Sequence, residues 1–273
     1  MQEYIFQSDR MFFKHEVSHG MPMDTYSEHA HNGYELIYFL GGDATHVIED
    51  RKYKLKKGDL ILIRPMHYHF IQIDSVSDYG RYDILFDPVL HGVESLGRLP
   101  DDVEVVNLEG NTIAQEIFRK CDVYRKQCDD ATFEKILSHL LSELFYCISL
   151  FPSAAVEERE AFSPILSKAL RYINENLCTL GGIDEIANHL FVSESYLFRL
   201  FREELHRSPK RYIMDKRLLL AERLLADGEK PTAVAEKCGF VDYTVFYRNY
   251  KAFFGRAPSA AGAGNRQLLH LQS

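Results

Sequence analysis

The chain has 273 residues, 46% hydrophobic and 26% charged, an ordinary globular composition that excludes wholesale disorder and suggests two domains. No run reaches the roughly 18–20 apolar residues of a membrane span, and the first ten residues, with Glu3 and Asp9, lack the order of a secretion signal. The net charge of −8 hides an asymmetry, since residues 1–162 carry 16 basic against 28 acidic residues and residues 163–273 carry 16 against 12. A basic back half points to an anionic partner such as nucleic acid, with chance asymmetry as the bland reading.

Residues 1–105 read as strands and turns. Residues 34–40 (YELIYFL) are rich in β-formers and close on Gly41-Gly42. Residues 45–49 turn at Asp50-Arg51-Lys52 into 53–55, and Lys57-Gly58-Asp59 leads into 60–63, which stops at Pro65. Residues 69–74 and 80–86 add two more strands. Short strands at turn spacing, with no helical period, predict an all-β barrel or sandwich.

The period changes over 106–152. Ile113, Ile117, Cys121 and Tyr124 recur at helical spacing, and Phe133, Ile136, Leu137, Leu140, Leu141, Leu144 and Ile148 do so more strongly. Two antiparallel helices are expected. The second has an apolar stripe wide enough to cover the barrel, the first helix or the partner subunit of a homodimer. Pro152 ends the run, and 153–162 is small or charged, as in a linker. Five cysteines (Cys121, Cys128, Cys147, Cys178, Cys238) with no C-x-x-C pair argue for reduced thiols in a cytoplasmic protein and against a zinc ribbon.

From Ser163-Pro164, a capping Ser before a Pro suited to a first helical turn, the pattern over 163–262 is helical and repeats. At an offset of 49, Leu197-x-Arg199-x-Phe201 and Pro209 align with Phe246-x-Arg248-x-Tyr250 and Pro258. Ahead of each lies a short helix with a central Ala (183–190 and 232–238) and then a tight turn (191–193 and 239–241). The small Ala lets the second helix cross close to the first, which describes a helix-turn-helix present twice.

Leu197, Leu200, Phe201 and Leu205 take the inward face of the first recognition helix, and Phe246, Tyr250 and Phe253 that of the second. Ser195, Phe198, Arg199 and Arg202 are left outward on the first. Tyr243, Thr244, Tyr247, Arg248 and Lys251 are left outward on the second. Arg, Ser and Thr bond bases or phosphates, and an exposed aromatic meets a thymine methyl. Packing on a neighbouring helix is the bland alternative for Phe198, and pairing with local carboxylates for the two arginines. A helix over 210–226, about 25 Å long at ~1.5 Å per residue, separates the units and can set both recognition helices on one face of DNA, near the ~34 Å of one turn.

With these residues in place, 163–260 resembles the DNA-binding domain of the AraC/XylS family of bacterial transcription regulators. The resemblance is carried by Ile186-Ala187, Ser193, Tyr196-Leu197-x-Arg199-x-Phe201, Ser208-Pro209, Arg217-x-x-x-Ala221-x-x-Leu224-Leu225, Ala235-x-x-x-Gly239-Phe240, Phe246-x-Arg248-x-Tyr250-Lys251 and Phe254-Gly255-x-x-Pro258. Two features depart from it. His206 stands where the family has Gly, and Ala261-Gly262 replaces the usual ending, so 263–273 is expected to be a disordered tail.

In the front half, His29-x-His31-x-x-x-Glu35 with Gly41-Gly42, then Gly58-Asp59, Pro65, His67 and His69, resembles the two motifs of the cupin fold, a small β-barrel. That resemblance implies a metal set of His29, His31, Glu35 and His69, a donor set suited to a divalent ion. The spacing from Pro65 to His69 departs from the metal-binding pattern. A polar effector pocket of His29, His31, Glu35, Tyr38, His67, His69 and Tyr82, or a structural use of the histidines, therefore stays open beside the metal. Tyr34, Tyr68, Arg64 and Arg81 lie near enough in sequence to join such a pocket.

The expected architecture is an α+β two-domain chain. A cupin-like sensor barrel (1–105) with two following helices (106–152) precedes a linker (153–162) and an all-α double helix-turn-helix (163–262). The function this implies is a cytoplasmic, sequence-specific DNA-binding transcription regulator, an activator by resemblance. It would sense a small polar, carbohydrate-like effector, act as a homodimer, meet RNA polymerase and require no cofactor. The alternative is a metal-dependent cupin enzyme with an accessory helical domain.

Overall fold

The strands of the front half pair into two sheets. β1 (Gln2–Gln7), β2 (Met11–Met21), β9 (Ser77–Phe86), β4 (Tyr34–Gly41), β7 (Asp59–Ile63) and β10 (Val105–Asn107) form one sheet in that order. β3 (Asp24–Thr25), β8 (His69–Ile73), β5 (Ala44–Ile48) and β6 (Arg51–Lys54) form the other. The ladders of the six-stranded sheet are all antiparallel. These elements come from a computed structural model that describes residues 2–22, 24–25, 31, 33–65, 67–87, 104–150 and 162–261. The chain divides into two units that part between Arg159 and Glu160, with Glu49–Lys52 grouped with the second. The expected tail, and the expected linker apart from Phe162, lie outside the described residues.

Strand period two decides which side chains meet. One face of the six-stranded sheet presents Ile37, Phe39, Ile61, Ile63, Tyr79 and Val105 to Ile48, Tyr53, Ile71 and Ile73 of the second sheet. The opposite face presents Leu36, Tyr38, Leu60, Leu62, Tyr82, Ile84 and Phe86 to two helices, α1 (Thr112–Gln127) and α2 (Asp130–Leu150). β4 and β7, at the centre of the six-stranded sheet, are thus buried on both faces and read as near-continuous apolar runs. Each fully buried Leu, Ile or Phe there contributes about 1.5–3 kcal/mol relative to exposure.

Four details differ from the sequence reading. The turn before β6 is Glu49-Asp50, with Glu49 at φ +53, so Arg51 and Lys52 already belong to the strand. The buried stripe of α1 is Ala114, Ile117, Phe118 and Cys121, and Ile113 points to solvent. Asn111 caps α1 by accepting from the Ala114 N–H at 3.0 Å, which starts the helix one position earlier than the apolar period suggests. β1 and β2 also precede the first strand singled out by pattern. The wide stripe of α2 is answered within this unit, because Phe133, Leu137, Leu141, Leu144 and Phe145 all lie in the core beside the sheet and α1.

Polar groups tie α1 to the sheet. The Tyr82 hydroxyl donates to Asp122 Oδ2 at 2.8 Å, and His15 Nδ1 lies 2.9 Å from Asp122 Oδ1. His15 and Tyr82 are cross-strand partners on β2 and β9, and their rings stack at 3.9 Å.

The second unit is helical: α3 (Pro164–Asn176), α4 (Ile183–His189), α5 (Glu194–Glu204), α6 (Pro209–Ala226), α7 (Pro231–Lys237) and α8 (Tyr243–Phe254), then a 3-10 turn at Pro258–Ala260. Leu170, Ile173, Ile186, Leu197, Phe201, Tyr212, Phe246 and Tyr250 are fully buried. Phe253, expected inward, is only half-buried. Among the described residues, no helix is long and apolar enough to cross a membrane.

Phe118→Ala, which empties a fully buried ring site on α1, is expected to cost about 3–5 kcal/mol in urea denaturation of the full chain. Tyr82→Phe keeps the ring and is expected to cost about 1 kcal/mol, the net worth of its hydrogen bond. Equal losses would mean that the hydroxyl matters as much as the ring.

Candidate nucleic-acid interface and sensor site

The two recognition helices are held by one device used twice. After α4, the Val192 N–H donates to Ala187 O at 3.0 Å, and after α7 the Phe240 N–H donates to Ala235 O at 3.0 Å. Ser193 then caps α5 through the Tyr196 N–H, and Asp242 caps α8 through the Thr244 and Val245 N–H groups. Ahead of the turn the two units are offset by 48 residues and after it by 49, so the second turn carries one extra residue. The uniform offset of 49 read from the sequence holds only from the recognition helices onward. Val241 occupies the longer turn and is fully exposed.

Gly239 is demanded by this turn. It sits at φ +78, and a Cβ there would lie 2.3 Å from Cys178 O. Arg217 on α6 donates to Gly239 O at 3.0 Å, Leu177 O at 2.9 Å and Leu180 O at 2.6 Å, which joins the second turn to the α3–α4 connection.

Other charges inside this unit are paired. Asp215, fully buried, accepts from Arg207 and Arg211. Burial raises its carboxyl pKa in spite of those two arginines. Glu222 accepts from Tyr250 and Arg256. The expected contact residues lie elsewhere. Ser195, Arg199 and Arg202 are exposed on α5 with Phe198 half-buried beside them. Tyr243, Thr244, Tyr247, Arg248 and Lys251 are exposed on α8. Arg199 lies over the Tyr196 ring at 5.1 Å from its centroid, and the Tyr243 and Tyr247 rings are 6.4 Å apart. Each recognition helix therefore offers solvent an arginine, a second cation, a hydroxyl and an aromatic, the mixture that binds phosphates and base edges.

In the first unit, the buried cluster joins His31, Glu35 and His69. His31 Nε2 is 3.0 Å and His69 Nε2 2.8 Å from Glu35 Oε2. The other ring nitrogens face backbone carbonyls: His31 Nδ1 is 2.9 Å from Gly33 O, and His69 Nδ1 is 2.9 Å from His67 O. A carbonyl only accepts, so both Nδ1 atoms carry hydrogen. Each Nε2 is then either a second donor to Glu35 or a lone pair aimed beside it. Burial alone would raise the Glu35 pKa, but the charges and hydrogen bonds of His69 and His31 hold it well below the usual carboxylate range.

The remaining expected pocket residues are divided by the strand period. Tyr38 and Tyr82 do not join the cluster. They lie on the opposite face of the six-stranded sheet, where Tyr38 stacks on Phe118 at 4.3 Å and Tyr82 bonds Asp122. Tyr34 likewise stacks on Phe86 at 5.7 Å among the helix-side residues. His67 is half-buried, with Nδ1 4.0 Å from Glu104 Oε1, and its carbonyl accepts from His69 Nδ1 in the cluster. His29 lies outside the described residues.

Two residues belong beside the cluster that the sequence pattern does not single out. Burial of Asp83, together with the charge of nearby Glu35, raises its carboxyl pKa well above the usual range. His46 stacks on His69 at 5.9 Å. Arg81, 3.4 Å from Asp83, lies on the same side. Period two along β9 is the signal that could have found Asp83, since it faces as Tyr79 does and opposite to Tyr82.

The cluster fits the metal that the cupin resemblance implies. The donor atoms of His31, Glu35 and His69 lie within 4.8 Å of one another, and all three residues are buried. Nδ1–H groups held by carbonyls are the usual outer support of imidazole ligands.

Gly239→Ala is expected to destabilise the second unit by about 1–3 kcal/mol, through overpacking against Cys178 O and an unfavourable φ, read as a lower melting temperature of the full chain. An unchanged melting temperature would mean that the turn relaxes freely.

Comparison with known proteins gives this geometry its setting. Residues 14–172 match the AraC-like ligand binding domain, and residues 186–263 match a helix-turn-helix domain. The chain is 25% identical over 245 residues to the HTH-type transcriptional activator RhaR of Cronobacter sakazakii, with 84% of each chain covered. It is 24% identical over 264 residues to the Raffinose operon transcriptional regulatory protein RafR of Pediococcus pentosaceus, with 93% of each covered. Among solved structures, apo ToxT from Vibrio cholerae is similar at 16% identity and a TM-score of 0.39, covering 93% of this chain and 97% of that one. The ligand-binding-domain match alone spans more than half of the chain, and the protein belongs to the AraC family of transcription regulators, with a ligand-binding domain followed by a DNA-binding helix-turn-helix domain.

Proposed function

We propose that this regulator is a cytoplasmic transcription activator that reads operator DNA through α5 and α8, as a homodimer, when a small polar, carbohydrate-like effector occupies the interior of the two-sheet unit. The observation that carries the DNA half is the partition of cations. Arg207, Arg211 and Arg256 are bound to buried carboxylates and Arg217 to carbonyls, whereas Arg199, Arg202, Arg248 and Lys251 stand on exposed faces of matched helices. RhaR is named an activator and RafR is named for a raffinose operon, which supports activation and a carbohydrate-like effector. An activator of this kind would also meet RNA polymerase. Both relatives are regulators, which supports regulation over the enzyme alternative, and no residue is assigned a catalytic role.

Inside the two-sheet unit, His31, Glu35, His69 and Asp83 offer donors and acceptors to a polar ligand beside an apolar cluster. A ligand that binds one arrangement of this unit better than another shifts its population, and operator occupancy with it. The first reading needs no cofactor. A second reading is favoured by the paired Nδ1-to-carbonyl bonds, which orient both Nε2 atoms as ligands for a divalent ion held by His31, Glu35 and His69. Such an ion would supply fixed positive charge beside Glu35.

Arg199→Ala and Arg248→Ala are each expected to weaken binding to a selected operator by about 1–3 kcal/mol with the fold intact. Unchanged affinity would return both residues to structural roles. For the sensor, a thermal-shift panel of sugars and of Zn2+, Mn2+ and Ni2+, each repeated with chelator, separates the two readings. Stabilisation by a sugar that survives chelation supports the polar pocket. Stabilisation by an ion alone, lost with chelator and in His69→Ala, supports the metal.

A further inference from the structure

We propose that His206 is a DNA-backbone contact: with Arg199, Arg202 and Arg207 it forms a cationic cleft in the first helix-turn-helix that holds a phosphate group of the operator. The proposal rests on the reading of α5 as a DNA-reading helix and adds to it a residue outside the recognition face.

Three observations converge. The first is the cleft itself, about 600 Å³, lined by Phe198, Arg199, Arg202, His206, Arg207 and Ser208. Among the described residues, its lining holds three guanidinium groups and an imidazole and no carboxylate. The acid bonded to one of its cations is Asp215, which is fully buried and shared between Arg207 and Arg211. A concave surface with that charge suits an anion, and the phosphodiester backbone is the anion that a DNA-reading helix brings with it.

The second observation is the backbone. His206 sits at φ +54, directly after the α5 cap Leu205. This left-handed region disfavours a side chain with a Cβ, although histidine tolerates it better than most residues. A glycine would end the helix there without strain, as the other repeat shows: the equivalent residue 49 positions on is Gly255, at φ +69, closing α8. The first repeat therefore keeps an exposed imidazole where the second dispenses with any side chain. A strained residue at a binding surface is a reason to look for a role in that surface.

The third observation is the contrast with the second repeat. Arg207 and the aligned Arg256 are each bound to a buried acid, Asp215 and Glu222, so the difference lies in Gly255, which has no side chain to offer a cleft. The contact therefore belongs to the first repeat alone, and it makes the two recognition units unequal in how they hold the DNA backbone.

The experiment uses the full chain and two duplexes of equal length, one recovered by in vitro selection against the full chain and one unrelated. His206→Gly and His206→Asn are compared with the unaltered protein at about pH 6, where an imidazole can carry charge. His206→Gly is expected to melt at the same or a higher temperature, because the strain is relieved. It is also expected to bind both duplexes several-fold more weakly, by the same factor, with the salt slope reduced by about one, the signature of a lost phosphate contact. His206→Asn tolerates the same backbone and is expected to lose affinity in the same way. Unchanged affinity in either variant overturns the proposal. So does a loss confined to the selected duplex, which would mean base readout, or a melting temperature that falls in step with affinity, which would mean a structural role. If selection recovers no duplex at all, the DNA reading of α5 fails and the proposal falls with it.

Discussion

A carboxylate cannot be buried without partners, and that constraint organises both units. Removing such a group from water costs several kcal/mol unless hydrogen bonds and opposite charge replace the solvent. Asp215 is met by Arg207 and Arg211, and Glu222 by Tyr250 and Arg256. These pairs hold the connections after α5 and α8, so they set where the two recognition helices end. In the front unit Glu35 is met by His31 and His69. The same physics that stabilises the helical unit thus places a polar island inside the two-sheet unit, the place where a ligand can be recognised.

The six-stranded sheet then acts as a partition. One register puts Glu35, Ile37 and Asp83 toward the second sheet and Tyr38 and Tyr82 toward α1. Because successive residues alternate, neither set can move to the other side without a register slip that would expose a whole core. The aromatic residues of β4 and β9 are therefore packing groups for α1. The chemistry of the cluster rests on His31 from a loop, on His69 at the start of β8, and on acids from β4 and β9.

Much of this is legible in the sequence. The helical units carry their own punctuation: Ser193, Ser208 and Pro209 mark starts, and the repeated Arg-x-aromatic pattern separates inward from outward positions. Both recognition faces can be written down from period 3.6, apart from Phe253, which it puts inward and which is only half-buried. The strands are harder. A sheet buried on both faces shows no polar alternation, so residues 34–40 and 60–63 do not reveal which neighbours share a side. That is why proximity in sequence groups Tyr38 and Tyr82 with the histidines, and why it passes over Asp83. The single extra residue in the second turn is equally hidden, since the repeat aligns well on either side of it and only the hydrogen bonds to Ala187 and Ala235 show where the offset changes.

The claim on which the account rests most heavily is that one chain presents two DNA-reading helices, α5 and α8, spaced by the rigid α6. Hydroxyl-radical footprinting of the full-length protein on a selected operator tests it directly. The account predicts two protected segments per subunit on one face of the duplex, about one helical turn apart, with Arg199→Ala thinning one segment and Arg248→Ala the other. A single protected segment per subunit, or equal loss of both from either substitution, would contradict it.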